Sequence, residues 1–160
     1  MGARVTRATQ ALALAGATYR LHVYQVAEKV GEGYGEAVAD AIGMQRSRVF
    51  KTLVALVDGD PLLALIPVDR RLSTKRMAST VGGKSCALAP PETAERVTGY
   101  VTGGISPFGL RRGLRLVLDA SASEFETIAV SGGRRGIQLE LSPETVVALT
   151  GGTLASIAEV

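Results

Sequence analysis

The chain has 160 residues, a length typical of one domain with its own hydrophobic core. Nearly half of the residues are apolar, which excludes intrinsic disorder, and no apolar run reaches the ~18–20 residues of a membrane-spanning helix. A net charge of +3 favours an anionic partner only mildly, while 4% aromatic residues without Trp argue against a stacking platform for single-stranded bases. The single cysteine excludes an internal disulfide and indicates a reducing cytoplasm.

The N-terminal segment predicts a helix. Ala8, Leu12 and Ala15 follow helical spacing, Thr6 is a suitable N-cap, and Gly16 can end the helix. Basic residues before an alanine-rich stretch also occur in signal peptides, but the spacing and the caps favour the helix.

Strand and helix patterns follow in the first half of the chain. Residues 18–26 alternate in the manner of a strand, "GEGYG" predicts a flexible loop, and residues 36–43 predict a short helix closed by glycine. Residues 48–68 predict a β-hairpin around a "DGDP" turn. Residues 70–82 predict a helix that ends at a glycine.

The second half predicts further helices and three strands. Pro90 and Pro91 are suited to start a helix that runs to residue 99, and Ser142 with Pro143 starts another, after which a last short helix can finish the chain. The strand candidates are residues 114–121, 127–133 and 136–142. We therefore predict a single α+β domain over residues 1–160, with a mainly antiparallel or mixed sheet surrounded by helices.

The sequence lacks the residues that several common kinds of catalytic site require. One histidine, His22, and one cysteine, Cys86, cannot assemble a zinc cluster of the usual kind, and we expect no metal or other cofactor. His22 lies in a strand pattern, where a structural role is commoner than catalysis. Cys86 lies among small residues and is expected to be a small core residue. No known nucleotide-binding glycine motif occurs.

Lys51 stands out because the surrounding run, "VFKTLVALV", is otherwise apolar. An ammonium there must reach water, a pocket or an anion, since unpaired burial is costly. One interpretation is an edge-strand lysine that discourages aggregation. The other is a cation at the mouth of a pocket that binds a phosphate, a ribose hydroxyl or an ester.

Two glycine-rich segments can place backbone amides next to a ligand. "YVTGGISPFG" has three glycines and a proline, which suit either a turn between strands or a ligand-binding loop. "VSGGRRG" places Ser131 before two glycines, with Arg134 and Arg135 after them. A tight turn explains these glycines but does not require two arginines, of which one can face a ligand.

The segments "RVFKTLV", "GYVTGGISPFG", "SASEFETIAVSGGRRG" and "IQLELSP" resemble the YbaK/EbsC family in their order along the chain. This family comprises stand-alone aminoacyl-tRNA deacylases related to the editing domain of bacterial prolyl-tRNA synthetases. "GGISP" beside "VSGGRRG" is most similar to the YbaK branch, the Cys-tRNA(Pro) deacylases, and less similar to branches that act on mischarged alanine. The resemblance implies a curved, mostly antiparallel sheet with helices around it and a pocket at one side.

The resemblance also implies a reaction and a set of site residues. The reaction is hydrolysis of the ester that joins cysteine to the 3′-terminal adenosine of tRNA(Pro), and also of Cys-tRNA(Cys) as a further substrate. The substrate thiol attacks its own ester and gives a thiolactone. The catalytic residues implied are Lys51, Gly103, Gly104 and Ser106. The substrate-binding residues implied are Tyr24, Tyr34 (where the family often has Phe), Thr52, Ile105, Pro107, Ser131, Gly132 and Arg134.

Two alternatives remain open at the level of sequence. The first is deacylation of another small misacylated residue, such as alanine on tRNA(Pro). The second is a non-catalytic module that binds tRNA or a synthetase, although such a module need not keep both Lys51 and the G-x-x-x-P loop. Because no anticodon-reading element is evident, the expected partners are the acceptor end of an aminoacyl-tRNA and prolyl-tRNA synthetase in a ternary complex.

Overall fold

The computed structural model describes residues 4–160. Its α-helices are α1 (Arg7–Leu14), α2 (Tyr34–Ile42), α3 (Thr74–Thr80), α4 (Pro91–Thr98) and α5 (Pro143–Thr150). Its strands are β1 (Arg20–Val23), β2 (Phe50–Val57), β3 (Asp60–Pro67), β4 (Cys86–Leu88), β5 (Leu116–Asp119), β6 (Ile128–Ser131), β7 (Ile137–Leu141) and β8 (Thr153–Ala155). Two short 3-10 helices, Arg46–Arg48 and Ala120–Glu124, precede β2 and follow β5.

The strands form two sheets, which confirms the predicted α+β class. The first sheet is antiparallel with the order β1-β7-β6, and the second is mixed with the order β4-β2-β3-β5-β8. In the second sheet, β5 runs parallel to both β3 and β8. A bridge between Val49 and Ala129 joins the start of β2 to β6, so the two sheets meet at one corner.

Local sequence signals account for the hairpin and for most helix ends. The β2–β3 hairpin turns at Asp58 and Gly59, whose φ angles of 51° and 88° are those that a two-residue turn requires. Thr6 caps α1 by accepting a hydrogen bond from the Thr9 amide, and Ser142 caps α5 in the same way. These predicted elements are confirmed.

Two predicted boundaries and one predicted element type differ from the structure. The helix predicted over residues 70–82 is only α3, because Ser73 caps it and Leu72 is drawn into a β-bridge with Ala158. The "GEGYG" loop is shorter than predicted, since α2 already begins at Tyr34. The prediction of a last short helix is wrong, because this segment forms β8, which pairs with β5.

Asp119 ties the end of the chain to β5. Its buried carboxylate accepts hydrogen bonds from the amides of Ile157 and Ala158, both at 2.9 Å, and from the hydroxyl and amide of Ser121. Burial alone would raise the pKa of Asp119, but these hydrogen bonds outweigh it and lower that pKa.

We expect Asp119→Asn to lower the free energy of unfolding by about 1–3 kcal/mol at pH 7, since it weakens a buried hydrogen-bonded anion. A lowered folded-state pKa stabilises the fold above the unfolded value near ~3.9, and this stabilisation is lost as pH falls through the folded value. The difference between wild type and variant in urea denaturation should therefore shrink in acid. The exposed Asp60→Asn is the matched control, and an equal loss in that variant would contradict the assignment.

Candidate functional site

A cavity of about 280 Å³ lies where α2, the start of β2, β6, β7 and the loop after α4 meet. We call it the inner cavity. Six of the residues implied by the resemblance line it: Tyr34, Lys51, Thr52, Gly103, Ile105 and Ser131. The fold thus gathers residues that are up to 97 positions apart in sequence, from Tyr34 to Ser131, around one space.

Lys51 is a partly buried cation at this cavity. Its neighbours Phe50 and Thr52 are buried, whereas Lys51 is partly exposed, and all three residues line the cavity at the start of β2. The Lys51 ammonium reaches the carbonyl oxygen of Val68 only at 3.5 Å, and within residues 4–160 no carboxylate lies within 4.0 Å of it. Burial lowers the pKa of Lys51. Such a weakly paired cation is suited to an anionic or polar ligand.

The loop that carries Gly103 is held at both ends. The Tyr100 hydroxyl donates to the Phe108 carbonyl, which closes the loop. The Thr102 amide donates to the Glu95 carboxylate at 2.7 Å, and the Thr102 carbonyl accepts from the Arg135 guanidinium at 2.8 Å. The loop is therefore preorganised by contacts outside the cavity.

Not every amide of this loop is available to a ligand. The Gly104 amide donates to the Val101 carbonyl at 2.9 Å. The amides of Gly103, Ile105 and Ser106 donate to no acceptor in the part of the chain that the structure describes. Since Gly103 and Ile105 also line the inner cavity, they replace Gly104 as the residues whose backbone can face a ligand.

Gly104 has a packing role instead. A Cβ atom built on it would lie 2.7 Å from the Arg134 Cα atom and 3.0 Å from the Arg135 amide nitrogen. The loop therefore lies directly against the backbone of the "SGGRRG" turn, and only glycine allows this approach.

We expect Gly104→Ala to separate the loop from that turn and to lower any activity of the site by about tenfold or more, because a small misplacement of positioned groups is costly. Gly113→Ala is the matched control, since a Cβ atom there meets nothing within 4 Å. Rates and thermal midpoints of the two variants provide the measurement. A Gly104→Ala protein with the same rate and the same thermal midpoint as Gly113→Ala would contradict the packing argument.

A second, more open depression of about 860 Å³ adjoins the inner cavity and shares Val30 and Tyr34 with it. We call it the outer groove. Tyr24, Lys29, Arg134 and Arg135 also border it. The hydroxyls of Tyr24 and Tyr34 lie 3.5 Å apart, and burial together with this contact raises the pKa of Tyr34. The Tyr34 hydroxyl therefore stays protonated.

The two arginines of the turn differ in their contacts. Arg135 holds the loop through the Thr102 carbonyl, while the Arg134 Nε donates to the Arg135 carbonyl at 3.1 Å. Both side chains are exposed and border the outer groove, and neither is among the residues that line the inner cavity.

Several implied site residues do not reach the inner cavity. Ser106 is fully buried, and its hydroxyl accepts from the Phe108 amide at 3.3 Å. Pro107 lines a different depression beside Phe108. The Gly132 carbonyl accepts a hydrogen bond from the Thr6 hydroxyl, and its amide donates to the Ile137 carbonyl. A Cβ atom at Gly132 would collide with the Ile137 side chain. Gly104 packs as described, and Tyr24 and Arg134 border the outer groove.

The sequence reading missed Gln138 as a residue of the inner cavity. On β7, Ile137, Leu139 and Leu141 are buried in the main core, whereas Gln138 lies on the opposite face, opposite Ser131 of β6. Gln138 is 6% exposed and lines the inner cavity. A glutamine between apolar strand residues was the available signal, but only the sheet pairing places it beside Ser131.

His22 and Cys86 lie outside the inner cavity. The His22 Nε2 atom is 2.8 Å from the Glu140 carboxylate, and Arg48 and Thr127 contact the same carboxylate, so His22 belongs to a polar network on the sheet. Cys86 is partly buried in β4, and burial raises the pKa of its thiol. A protonated thiol away from the cavity is a poor nucleophile.

We therefore expect Cys86→Ser to keep the thermal midpoint within a few degrees and any hydrolytic activity within about twofold of wild type. The check is a rate measurement on both proteins at one pH. A folded but inactive serine variant would indicate a cysteine nucleophile instead.

No group of three or more His, Cys, Asp or Glu side chains within residues 4–160 is arranged to hold a metal ion. No helix among the described residues has the length and apolar character needed to cross a membrane.

Comparisons with known proteins connect this geometry to a family. Residues 29–149 match the family described as "Aminoacyl-tRNA editing domain". The "Putative Cys-tRNA(Pro)/Cys-tRNA(Cys) deacylase EbsC" of Enterococcus faecalis is 37% identical over 123 residues, 76% of this chain and 75% of the relative. The "Multifunctional Ser/Thr-tRNA deacylase ProXp-y" of Escherichia coli K12 is 32% identical over 123 residues, 74% of this chain and 71% of the relative.

A solved structure shares the whole fold. It is described as "a putative trans-editing enzyme for prolyl tRNA synthetase" and superposes with a TM-score of 0.83 at 26% identity, covering 96% of each chain. The two-sheet α+β arrangement is therefore that of a trans-editing enzyme.

Proposed function

Since the chain belongs to the aminoacyl-tRNA editing domain family, whose members hydrolyse the ester of misacylated tRNA, we propose that it is a trans-editing deacylase of Cys-tRNA(Pro). Cys-tRNA(Cys) is the second substrate that we propose, because the EbsC relative carries both in its name. The domain would comprise residues 1–160, since Leu12 of α1 and Ile157 near the C-terminus, both beyond the matched residues 29–149, are buried in the cores.

The observation that carries this proposal is the meeting of Lys51 with the free amides of Gly103 and Ile105 at one cavity. An ester carbonyl gains negative charge when it is attacked, and backbone amides stabilise that charge. Removal of one such donor typically costs about 3–4 kcal/mol of barrier. Lys51 supplies positive charge near the same group or near the adjacent ribose.

The nucleophile in this proposal is the cysteine thiol of the substrate. Its sulfur forms a bond to the ester carbonyl carbon, the bond from that carbon to the ribose 3′-oxygen breaks, and the thiol proton ends on the 3′-oxygen. The products are a thiolactone, which water opens to cysteine, and tRNA with a free 3′-hydroxyl. No protein nucleophile is needed, which agrees with the positions of His22 and Cys86 outside the cavity.

The outer groove is suited to the terminal nucleotides of the acceptor end. The exposed side chains of Arg134 and Lys29 can contact phosphates there. Such contacts carry little sequence information. We therefore propose that prolyl-tRNA synthetase supplies tRNA selectivity in a ternary complex.

The proposal is tested by incubating catalytic amounts of the protein with Cys-tRNA(Pro) and following the release of cysteine, with binding of uncharged tRNA(Pro) measured in parallel. Multiple turnover is expected, in the presence of EDTA as well as in its absence. Binding without turnover would support the alternative of a non-catalytic tRNA-binding module.

A further inference from the structure

The start of α1 contacts both glycine-rich segments whose residues line the inner cavity. The Thr6 hydroxyl donates to the Gly132 carbonyl. A Cβ atom built on Gly133 would lie 3.1 Å from the Thr6 side chain and equally close to the Tyr100 ring. Thr6 and its neighbour Arg7 line neither the inner cavity nor the outer groove. We call these two residues the α1 brace.

The Arg7 guanidinium holds the start of the loop that carries Gly103. It donates to the Gly99 carbonyl at 2.8 Å and to the Thr98 carbonyl at 3.4 Å. These carbonyls end α4, where partial negative charge attracts a cation. The Arg7 Cζ atom also lies 4.9 Å from the centre of the Tyr100 ring, within the range of a cation–π contact. Arg7 thus binds the point at which the chain leaves α4 for the cavity.

The backbone of Arg7 contacts the other end of the same loop. A Cβ atom built on Gly109 would lie 2.5 Å from the Arg7 carbonyl oxygen, so only glycine allows the loop to approach α1 this closely. Next to this contact, the Tyr100 hydroxyl donates to the Phe108 carbonyl and closes the loop. Arg7 therefore reaches both sides of the closing hydrogen bond, with its side chain on Tyr100 and its backbone on Gly109.

The groups that face the cavity from this loop are backbone amides, and their positions depend on these anchors. The amides of Gly103 and Ile105 lie between the two ends that Arg7 contacts. A backbone donor has no rotamer of its own, so it is placed only by the chain on either side of it. α1 precedes residues 29–149, which match the editing-domain family, so the α1 brace is a support that lies outside the matched segment.

We propose that Arg7 is a positioning residue for deacylation, which sets the place of the Gly103 and Ile105 amides without touching the substrate. The inference rests on the proposed function and extends it to a helix outside the cavity. The Arg7 side chain is exposed, and within residues 4–160 no carboxylate pairs with it. Its removal should therefore disturb the loop and leave the fold intact.

The test measures deacylation of Cys-tRNA(Pro) by Arg7→Met under single-turnover conditions over a range of protein concentrations. The saturating rate should fall by about tenfold, because a small misplacement of positioned groups is costly. The protein concentration that gives half of this rate should stay within about twofold of wild type, since binding is not affected. The thermal midpoint should stay within about 4 °C.

Two further variants serve as control and rescue. Arg4→Met removes the same charge from an exposed position three residues earlier, and it should keep the wild-type rate and half-saturating concentration. Arg7→Lys keeps a cation beside the Tyr100 ring and the Gly99 carbonyl, so its rate should return to within about threefold of wild type. Loss of charge alone would affect Arg4→Met and Arg7→Met equally.

A second readout does not depend on activity. The amide signals of Gly103 and Ile105 are followed in proton–nitrogen correlation spectra of the labelled full-length protein without substrate. Both signals should move in Arg7→Met and stay in place in Arg4→Met, because only the first variant releases the loop.

The outcomes separate this inference from the proposed function. Amide signals that stay in place in Arg7→Met, whatever its rate, would overturn the inference and leave the deacylase proposal intact. A raised half-saturating concentration at an unchanged saturating rate would make Arg7 a tRNA-binding residue and would also overturn it. If the wild-type protein does not deacylate Cys-tRNA(Pro), the proposed function fails, and the amide signals alone decide whether Arg7 positions the loop.

Discussion

Lys51→Ala is expected to lower the single-turnover rate of Cys-tRNA(Pro) deacylation by about 10²-fold or more, a loss typical of removing a charge-stabilising group. The free energy of unfolding should change by less than about 0.5 kcal/mol, because the ammonium makes one distant carbonyl contact and no ion pair within residues 4–160. Removing a cation that is partly desolvated relieves a cost, which offsets the loss of its aliphatic packing.

Lys75→Ala is the matched control for this experiment. Lys75 is exposed on α3 and lines neither cavity. Its replacement by alanine therefore removes the same charge from the protein without changing the site. Single-turnover rates and urea denaturation curves should be recorded for wild type and both variants. A Lys51→Ala protein that deacylates at the wild-type rate would show that the lysine is an edge-strand charge, the structural interpretation that its sequence pattern also allowed.

The second large effect is expected on the substrate side. Cys-tRNA(Pro) should react more than about 200-fold faster than Ala-tRNA(Pro), which exceeds what a pocket can achieve by sensing one small group. If the thiol is the nucleophile, its removal eliminates the reaction itself. Serine has a hydroxyl in the same place, but far less of it is ionised near neutral pH, so Ser-tRNA(Pro) should also react slowly.

Single-turnover rates at saturating protein isolate the chemical step from differences in binding among the three esters. Similar rates for cysteine and alanine esters would contradict the thiol mechanism and indicate a bound water as the nucleophile.

Much of the fold follows from local sequence signals. The "DG" turn between two β-rich runs predicted the β2–β3 hairpin, and Ser142 with Pro143 predicted the start of α5. The final segment could not be predicted in this way. β8 exists because a short chain segment pairs in parallel with β5, more than 30 residues earlier, and because Asp119 binds the amides that follow it. Such contacts depend on tertiary structure and leave no periodic pattern.

The candidate site was predicted in outline and not in detail. Lys51 and Gly103 reach one cavity, as the resemblance implied. Gly104 and Ser106 belong to the same loop, but Gly104 lies against Arg134 and the Ser106 hydroxyl accepts from the Phe108 amide. Gln138 was missed because its significance depends on an unsatisfied oxygen, and hydrogen-bond satisfaction is a property of packing that one strand sequence does not contain.

The most direct test of the central claim is the decay of Cys-tRNA(Pro) in the presence of excess protein and EDTA, compared with decay in buffer and with the Lys51→Ala variant. Aliquots are quenched in acid, and the fraction of tRNA that still carries cysteine is measured over time. We predict rapid single-exponential loss with the wild-type protein and loss close to the buffer rate with Lys51→Ala. Decay at the buffer rate with the folded wild-type protein would contradict the assignment of this chain as a Cys-tRNA(Pro) deacylase.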